Sequence, residues 1–558
     1  MNDMSGGEAQ REPLIAVIDE GTKTIRFVVF SSQTKKELVS HKLDVVQKCP
    51  QEGWAEEDPQ EILSAIQQCI EHVTDVMPSM GLRVSDIAAL GITNQRETTV
   101  VWDSETGEPL YNAILWSDIR TAVTVDHILA KLQDNNKNYF VPSCGLPVSP
   151  YFSAVKLRWL IDTIPAVRKA ISEGRCLFGT IDTWITWNLT RNNGEALHIT
   201  DVTNASRTML MNLDTLDWDP LTCKLLNIPM EILPKICSSS EIYGKIALGP
   251  LKGIPIAGIL GNQHSALVGQ RCLQIGQAKN TYRSGCFLLY NTGNKKVHST
   301  HGLLTTVSYQ LGPDSPATYA LEGSVAVAGT ALRFLRDNLN LMKDVSESEA
   351  LAKEVLSAGD VYFVPAFSGL YAPYWRKDAR GIICGLTQFT TKNHIIRAAL
   401  EAICFQTRDI LEAMHKDCGV PLTKLQADGK LTCNRLLMQL QADICGIPVV
   451  LSSADDVTSL GVALMAGHAK GIELWDLTKE EDSPDYIGDT FLPAASTPER
   501  NLRYTKWKMA VQRSLGWAAT KKSEAMTDER FRLLASIPPA MFLLASFSML
   551  ALSHLVPS

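Results

Sequence analysis

No CxxC pair occurs among the 13 cysteines, which are odd in number and scattered. That excludes a disulfide framework and speaks against a structural zinc site; the expectation is reduced, mostly buried thiols. There is no excess of positive charge either. With 53 Lys+Arg against 60 Asp+Glu the net charge is −7, and no basic stripe interleaves with aromatics, so nucleic acid is not an expected partner. Residues 1–12 are polar, have no apolar core to act as a secretory signal, and are expected to be disordered. Charged residues make up 20% and hydrophobic residues 45% of the 558, values of globular rather than disordered chains. The length suits two large α/β domains or about three or four smaller ones.

Another absence concerns the C-terminus. Residues 533–558 contain no Asp, Glu, Lys or Arg, and the apolar core runs from about 537 to 556. Twenty helical residues span about 30 Å, the thickness of a bilayer's hydrocarbon layer. Pro538 and Pro539 stand at the start of the stretch, where a helix tolerates proline. Arg530 and Arg532 precede it. The expectation is a hydrophobic tail anchor in the mitochondrial outer membrane, with the body facing the cytosol. The alternative is a helix packed on the body of a cytoplasmic protein. Residues 518–532 read as a linker.

Two hairpin patterns organise the rest. Residues 14–18 are apolar, Asp19-Glu20-Gly21-Thr22 reads as a turn, and 25–30 return as an apolar, β-branched run. A related pattern recurs about 260 residues later: 278–282, then Arg283-Ser284-Gly285, then 286–290. The repeat suggests two related halves, 13–272 and 273–517. The clearest helix is 393–414, with Ile396, Leu400, Ile403, Thr407, Ile410, Leu411 and Met414 at helical spacing. Residues 480–496 are acidic and read as a surface loop.

Paired turns rich in Thr, Ser and Gly suit a polyphosphate, because backbone N–H groups and short hydroxyls can face its oxygens. Asp19, at the end of the first strand, is placed to hold Mg²⁺ through water. Arg96 and Glu97, after the apolar run 88–92, offer donors and acceptors to a polyol; read blandly, they are a solvated ion pair. Trp116, Asp118 and Arg120 share one face if the chain is extended there.

The motifs carry a resemblance. They include Asp19-x-Gly-Thr22, Asn94-Gln-Arg-Glu-Thr-Thr-Val-Val-Trp-Asp103, Tyr151-Phe-Ser-Ala-Val-Lys-Leu-Arg-Trp-Leu160 and Phe178-Gly-Thr-Ile-Asp-Thr-Trp184. Asp201-Val-Thr-Asn-Ala-Ser-Arg207 and Phe363-Val-Pro-Ala-Phe-Ser-Gly-Leu-Tyr-Ala-Pro373 complete the set. Over about residues 12–517 the chain resembles the glycerol kinases of the FGGY carbohydrate kinase family, the mammalian type in particular. The resemblance implies an α/β architecture: two actin-like ATPase (ribonuclease H-like) domains around a cleft, with the C-terminal hydrophobic helix added. It implies transfer of the γ-phosphoryl of ATP to glycerol with Mg²⁺. Glycerol would meet Arg96, Glu97, Trp116, Tyr151 and Phe287. The nucleotide would meet Thr22, Lys23, Thr24, Arg26, Ser284, Gly329, Arg333, Lys430 and Asn434. Family members form homo-oligomers, so a homo-oligomer or a hetero-oligomer with paralogues is expected, and some paralogues are germ-cell forms.

The sequence departs from the family's pattern at the chemistry. Asn262, in Gly261-Asn262-Gln263, stands where the family has its catalytic Asp. An amide takes no proton near neutral pH, and a general base contributes about 10²–10⁴ in rate. His264 would share Asn262's face on a strand and could substitute in part. Arg283 replaces a turn glycine, at the cost of a positive φ, and Lys430 replaces a glycine beside the purine. Glu20 stands for Gln in the first turn. The expectation is lost or much reduced kinase activity, with function through binding or oligomerisation. The alternatives are an active glycerol kinase, slow because of Asn262, and a glycerol or nucleotide sensor.

Overall fold

The computed structural model describes residues 11–192, 195–325, 327–454, 456–479 and 487–518. Strand Leu14–Gly21 (β1), which opens on the continuous apolar run 14–18, pairs antiparallel with Thr24–Ser31 (β2), in register from Leu14↔Ser31 to Gly21↔Thr24. Strand Glu37–Asp44 adds to β2, while Ile87–Asn94 and then Pro255–Gly261 add in parallel on the other side of β1. Ser240–Lys245 closes that edge antiparallel. The sheet has six strands.

The second sheet repeats the plan. Ala278–Tyr282 pairs antiparallel with Cys286–Gly293 and parallel with Leu425–Asp428, which pairs parallel with Val449–Ser452. Thr318–Val325 and Leu304–Tyr309 extend one edge and Ile487–Phe491 the other, making seven strands. Both predicted hairpins are therefore present, each at the centre of its own sheet. The expected loop 480–496 differs: Ile487–Phe491 is a strand paired to Val449–Ser452, because a local charge count does not register a sheet edge waiting for a partner.

The predicted helix 393–414 is Lys392–Cys418, closed by Gly419 in the left-handed conformation. Its Ile396, Leu400, Ile403 and Ile410 are fully buried in the core of the second half. Helix Val457–His468 is buried along almost its whole length and packs on the first sheet's core, against Ala257, Leu260 and Leu267. It also crosses helix Asn262–Gly269 at glycine. A Cβ on Gly461 would lie 1.8 Å from the Ser265 carbonyl oxygen, and one on Gly269 1.9 Å from that of Val457. All 13 cysteines are free, and only Cys49 and Cys433 are exposed. Among the described residues no helix is long and apolar enough to cross a membrane. The tail 533–558 lies outside the described residues, as does nearly all of the linker and residues 1–10 of the polar N-terminus.

Candidate functional site

The two halves meet where the polyol candidates converge. Arg96 and Glu97 follow strand Ile87–Asn94 after Gln95. They are 3% and 1% exposed, which rules out a solvated pair. Arg96 donates from Nη1 and Nη2 to both oxygens of Glu322, at 2.7 and 2.8 Å, on strand Thr318–Val325. Arg207 Nε donates to Glu97 Oε1 at 2.5 Å. Two arginines and two glutamates thus alternate in one buried cluster. The two guanidinium charges hold the Glu322 carboxyl far below the usual carboxylate range, against the opposing effect of burial. Glu97 sits at φ +62°. The conformation costs a non-glycine residue about 1–3 kcal/mol and is typical of functional positions. The Ser153 and Thr99 hydroxyls, donating to the Glu97 carbonyl, fix it.

Three aromatic rings form the wall. Trp116 lies edge-on to Tyr151 at 5.8 Å and to Phe287 at 5.9 Å. Phe287 belongs to the second sheet, so both halves build the site. All five polyol candidates are brought together. The extended segment imagined for 116–120 is instead a turn, which sends Trp116 and Arg120 different ways. Arg120 lies 3.8 Å over the Trp54 ring, between Asp118 and Glu56. Lys156, fully buried, donates to the carbonyls of Pro150 and Tyr151 at 3.0 and 2.5 Å. Its desolvation lowers its amine to about 7.

The phosphate candidates are more dispersed. Asp19 lies near the end of β1, is half-buried, and accepts from Ser459 Oγ at 2.9 Å. Burial and the charge of Asp456 raise its carboxyl to about 7, with Arg283, Ser459 and Arg26 opposing. A divalent cation bridged by water would relieve that repulsion, so Asp19 fits the Mg²⁺ role. Thr22 Oγ1 accepts from Trp116 Nε1 at 3.0 Å, which ties the first phosphate turn to the polyol wall. Lys23 is exposed and Thr24 half-buried. Arg26 is committed to Glu37 and Asp456, at 2.5 and 3.2 Å, and is not a free phosphate donor. In the second half, the N–H groups of Ala328 and Thr330 donate to the Ser284 carbonyl. Arg333 Nη2 reaches Thr330 Oγ1 at 2.9 Å, so Ser284, Gly329 and Arg333 share one corner. Asn434 caps helix Arg435–Cys445 through Leu437 N. Lys430 is exposed, next to Gly429 at φ +98°, where a Cβ would meet the Tyr282 carbonyl at 2.4 Å.

Three expectations are corrected. Arg283 does not adopt a positive φ, so its turn carries no such strain; its charge acts on both Asp19 and Asp428. His264 shares no strand face with Asn262, because Asn262–Gly269 is a helix and residues two apart point to different sides. The imidazole is fully buried with Nδ1 unpartnered, and burial with Arg96 nearby drives its pKa far down. Glu20 is absorbed: Gln95 Nε2 donates to Glu20 at 2.7 Å and to Glu57 at 2.9 Å. Burial raises the Glu57 carboxyl to about 7.

The sequence reading missed Glu322, Arg207 and Lys156. Arg207 and Lys156 lie inside quoted motifs, and Glu322 is a lone charge in an apolar strand, which signals a buried pair.

Models of the N-terminal and C-terminal domains of the FGGY family of carbohydrate kinases match residues 14–269 and 278–470. The chain belongs to that family. Its fold is the two-domain, actin-like (ribonuclease H-like) FGGY kinase fold. The chain is 48% identical to the probable glycerol kinase of Dictyostelium discoideum, over 91% of this chain and 100% of that protein. It is 47% identical to a glycerol kinase of Arabidopsis thaliana, over 91% and 99%. The Plasmodium falciparum glycerol kinase with ADP superposes with a TM-score of 0.83 at 38% identity, covering 90% of this chain and 98% of that one. ATP and Mg²⁺ are consistent with membership of the family. These relatives are named for the kinase reaction, and they support neither a lost activity nor a mitochondrial, membrane-anchored or germ-cell role.

Proposed function

We propose that this FGGY kinase is an ATP:glycerol 3-phosphotransferase, slowed by Asn262. The observation that carries the reading is the cluster that Arg96, Glu97, Trp116, Tyr151 and Phe287 form from both halves. Arg96, Glu97 and Tyr151 would hydrogen-bond the hydroxyls, and Trp116 with Phe287 would pack on the carbon chain. The terminal hydroxyl oxygen bonds to the γ-phosphorus, the bond to the β-phosphate bridging oxygen breaks, and ADP leaves. The hydroxyl proton passes to phosphate oxygen or solvent, because the Asn262 amide does not take it. Phosphoryl transfer runs through a loose transition state in which positioning and charge do most of the work, so losing a base slows the reaction without abolishing it. When bound, Mg²⁺ neutralises the phosphates; Asp19 would hold it through water. Ser284, Gly329, Arg333, Lys430 and Asn434 would take the nucleotide from the second half, with Thr22, Lys23 and Thr24 of the β1–β2 turn facing it.

A second reading is binding of glycerol or nucleotide with no transfer. Two observations favour it: Asn262 itself, and the Arg283 charge beside Asp19. Attachment to a membrane through residues 533–558 and oligomerisation are separate proposals that neither reading requires. The deciding experiment is glycerol 3-phosphate formation by the full chain with ATP and Mg²⁺. Slow turnover that needs glycerol is expected. A silent natural chain beside an active Asn262→Asp, Arg283→Gly variant would favour binding without transfer. Silence of both would overturn the kinase reading.

A further inference from the structure

Arg207 is fully buried beneath the polyol site, on the turn that follows the short helix Val202–Ala205. Its guanidinium carbon lies 5.5 Å over the Tyr151 ring and 5.3 Å over that of Phe152. Nη1 and Nη2 make no hydrogen bond; Nη1 stands 3.5 Å from Glu322 Oε2. Among the described residues, the one hydrogen bond that the Arg207 side chain makes is Nε to Glu97 Oε1. Glu97 needs such a hold, because its backbone is in the left-handed region and its side chain is almost wholly removed from water. The bond engages Oε1, and no described hydrogen bond uses Oε2.

We propose that Arg207 is the positioning residue of the polyol site: it pins Glu97 through Oε1 and so presents Oε2 to a hydroxyl of the substrate. It acts through Glu97 and does not touch the phosphate groups. This rests on the glycerol-site reading above. A charge-assisted hydrogen bond has the strength to move an affinity by about ten- to a hundredfold.

The test is calorimetric glycerol binding by the full chain, which needs no turnover. Arg207→Lys keeps the charge but cannot place an Nε donor, and Arg207→Met removes both. Arg207→Lys is expected to weaken glycerol binding at least about tenfold while ADP binding changes less than about twofold. In a Glu97→Gln background the same replacement is expected to add less than about twofold, since its route is already cut. Equal losses in both backgrounds, or a matching loss of ADP binding, would overturn the proposal and leave a general structural role. If Arg207→Met fails to fold, Arg207→Lys alone decides. Failure of the natural chain to bind glycerol would overturn the site reading itself, and the proposal with it. Glycerol binding left intact in Arg207→Lys would overturn only the proposal.

Discussion

On the polyol side, Arg96 and Arg207 face Glu97 and Glu322 inside a wall of aromatics, and positive and negative charges balance within the protein. On the phosphate side, the half-buried Asp19 and Asp456 repel one another, Arg26 is drawn off to Glu37, and Arg283 stands exposed. The first arrangement is preorganised: a ligand enters donors and acceptors already aimed. The second is unfinished, and a cation with its polyphosphate would complete it. Arg283 and Lys430, both exposed, add positive charge on the unfinished side without entering the packed cluster.

The largest expected effect tests whether the phosphate side alone limits the chemistry. Asn262→Asp places a proton acceptor next to Gly261, whose Cβ position lies 2.7 Å from Arg96 Cγ. Turnover is expected to rise by about 10²–10⁴, with little change in glycerol affinity, as measured by initial rates of glycerol 3-phosphate formation. No gain would place the limit at Arg283 instead. The next effect is on the settled side. Glu322→Gln leaves Arg96 and Arg207 buried with Glu97 as their shared counter-charge, and about 3–5 kcal/mol of stability should be lost. Denaturant unfolding of the variant measures it; a loss under about 1 kcal/mol would mean that the cluster is not balanced internally.

A smaller effect separates packing from charge. Gly461→Ala forces a Cβ to within 1.8 Å of the Ser265 carbonyl oxygen, where helices Val457–His468 and Asn262–Gly269 cross. Overpacking of that kind costs about 1–3 kcal/mol. The unfolding midpoint should fall while glycerol affinity holds. If affinity falls as well, the crossing sets the geometry of the site and the two sides are not independent.

Much of this was legible in the residues. The hairpins were readable because short apolar runs flank polar, Gly-containing turns, and 393–414 because its apolar residues keep a helical stripe. The polyol five were legible through the motif resemblance, not through spacing: Trp116 and Phe287 are 171 positions apart and meet only when both sheets form. What sequence could not give was long-range pairing. Glu322 meets Arg96 across 226 positions, and Ile487–Phe491 is a strand because Val449–Ser452 offers it an edge. His264 was misjudged through local period alone, since a strand and a helix send residue i+2 to different sides.

The smallest effect sharpens the unfinished side by pH. The Asp19 carboxyl is raised from the ordinary carboxylate range to about 7, mainly by burial and then by Asp456. A carboxyl raised in this way takes up its proton on folding. The stabilisation from that proton is complete below about pH 4 and is lost as pH rises through about 7. Cation binding needs the opposite form. Affinity for Mg²⁺-ATP should therefore fall about tenfold for each pH unit below 7 and level off above it. ATP itself titrates in this region, so the quantity to compare is the difference between the natural chain and Asp19→Asn over one pH series. The variant should bind weakly at every pH and lack the extra slope. If the two slopes coincide, Asp19 is not the group that meets the cation, and the repulsion between Asp19 and Asp456 is settled within the protein, as the charges on the polyol side are.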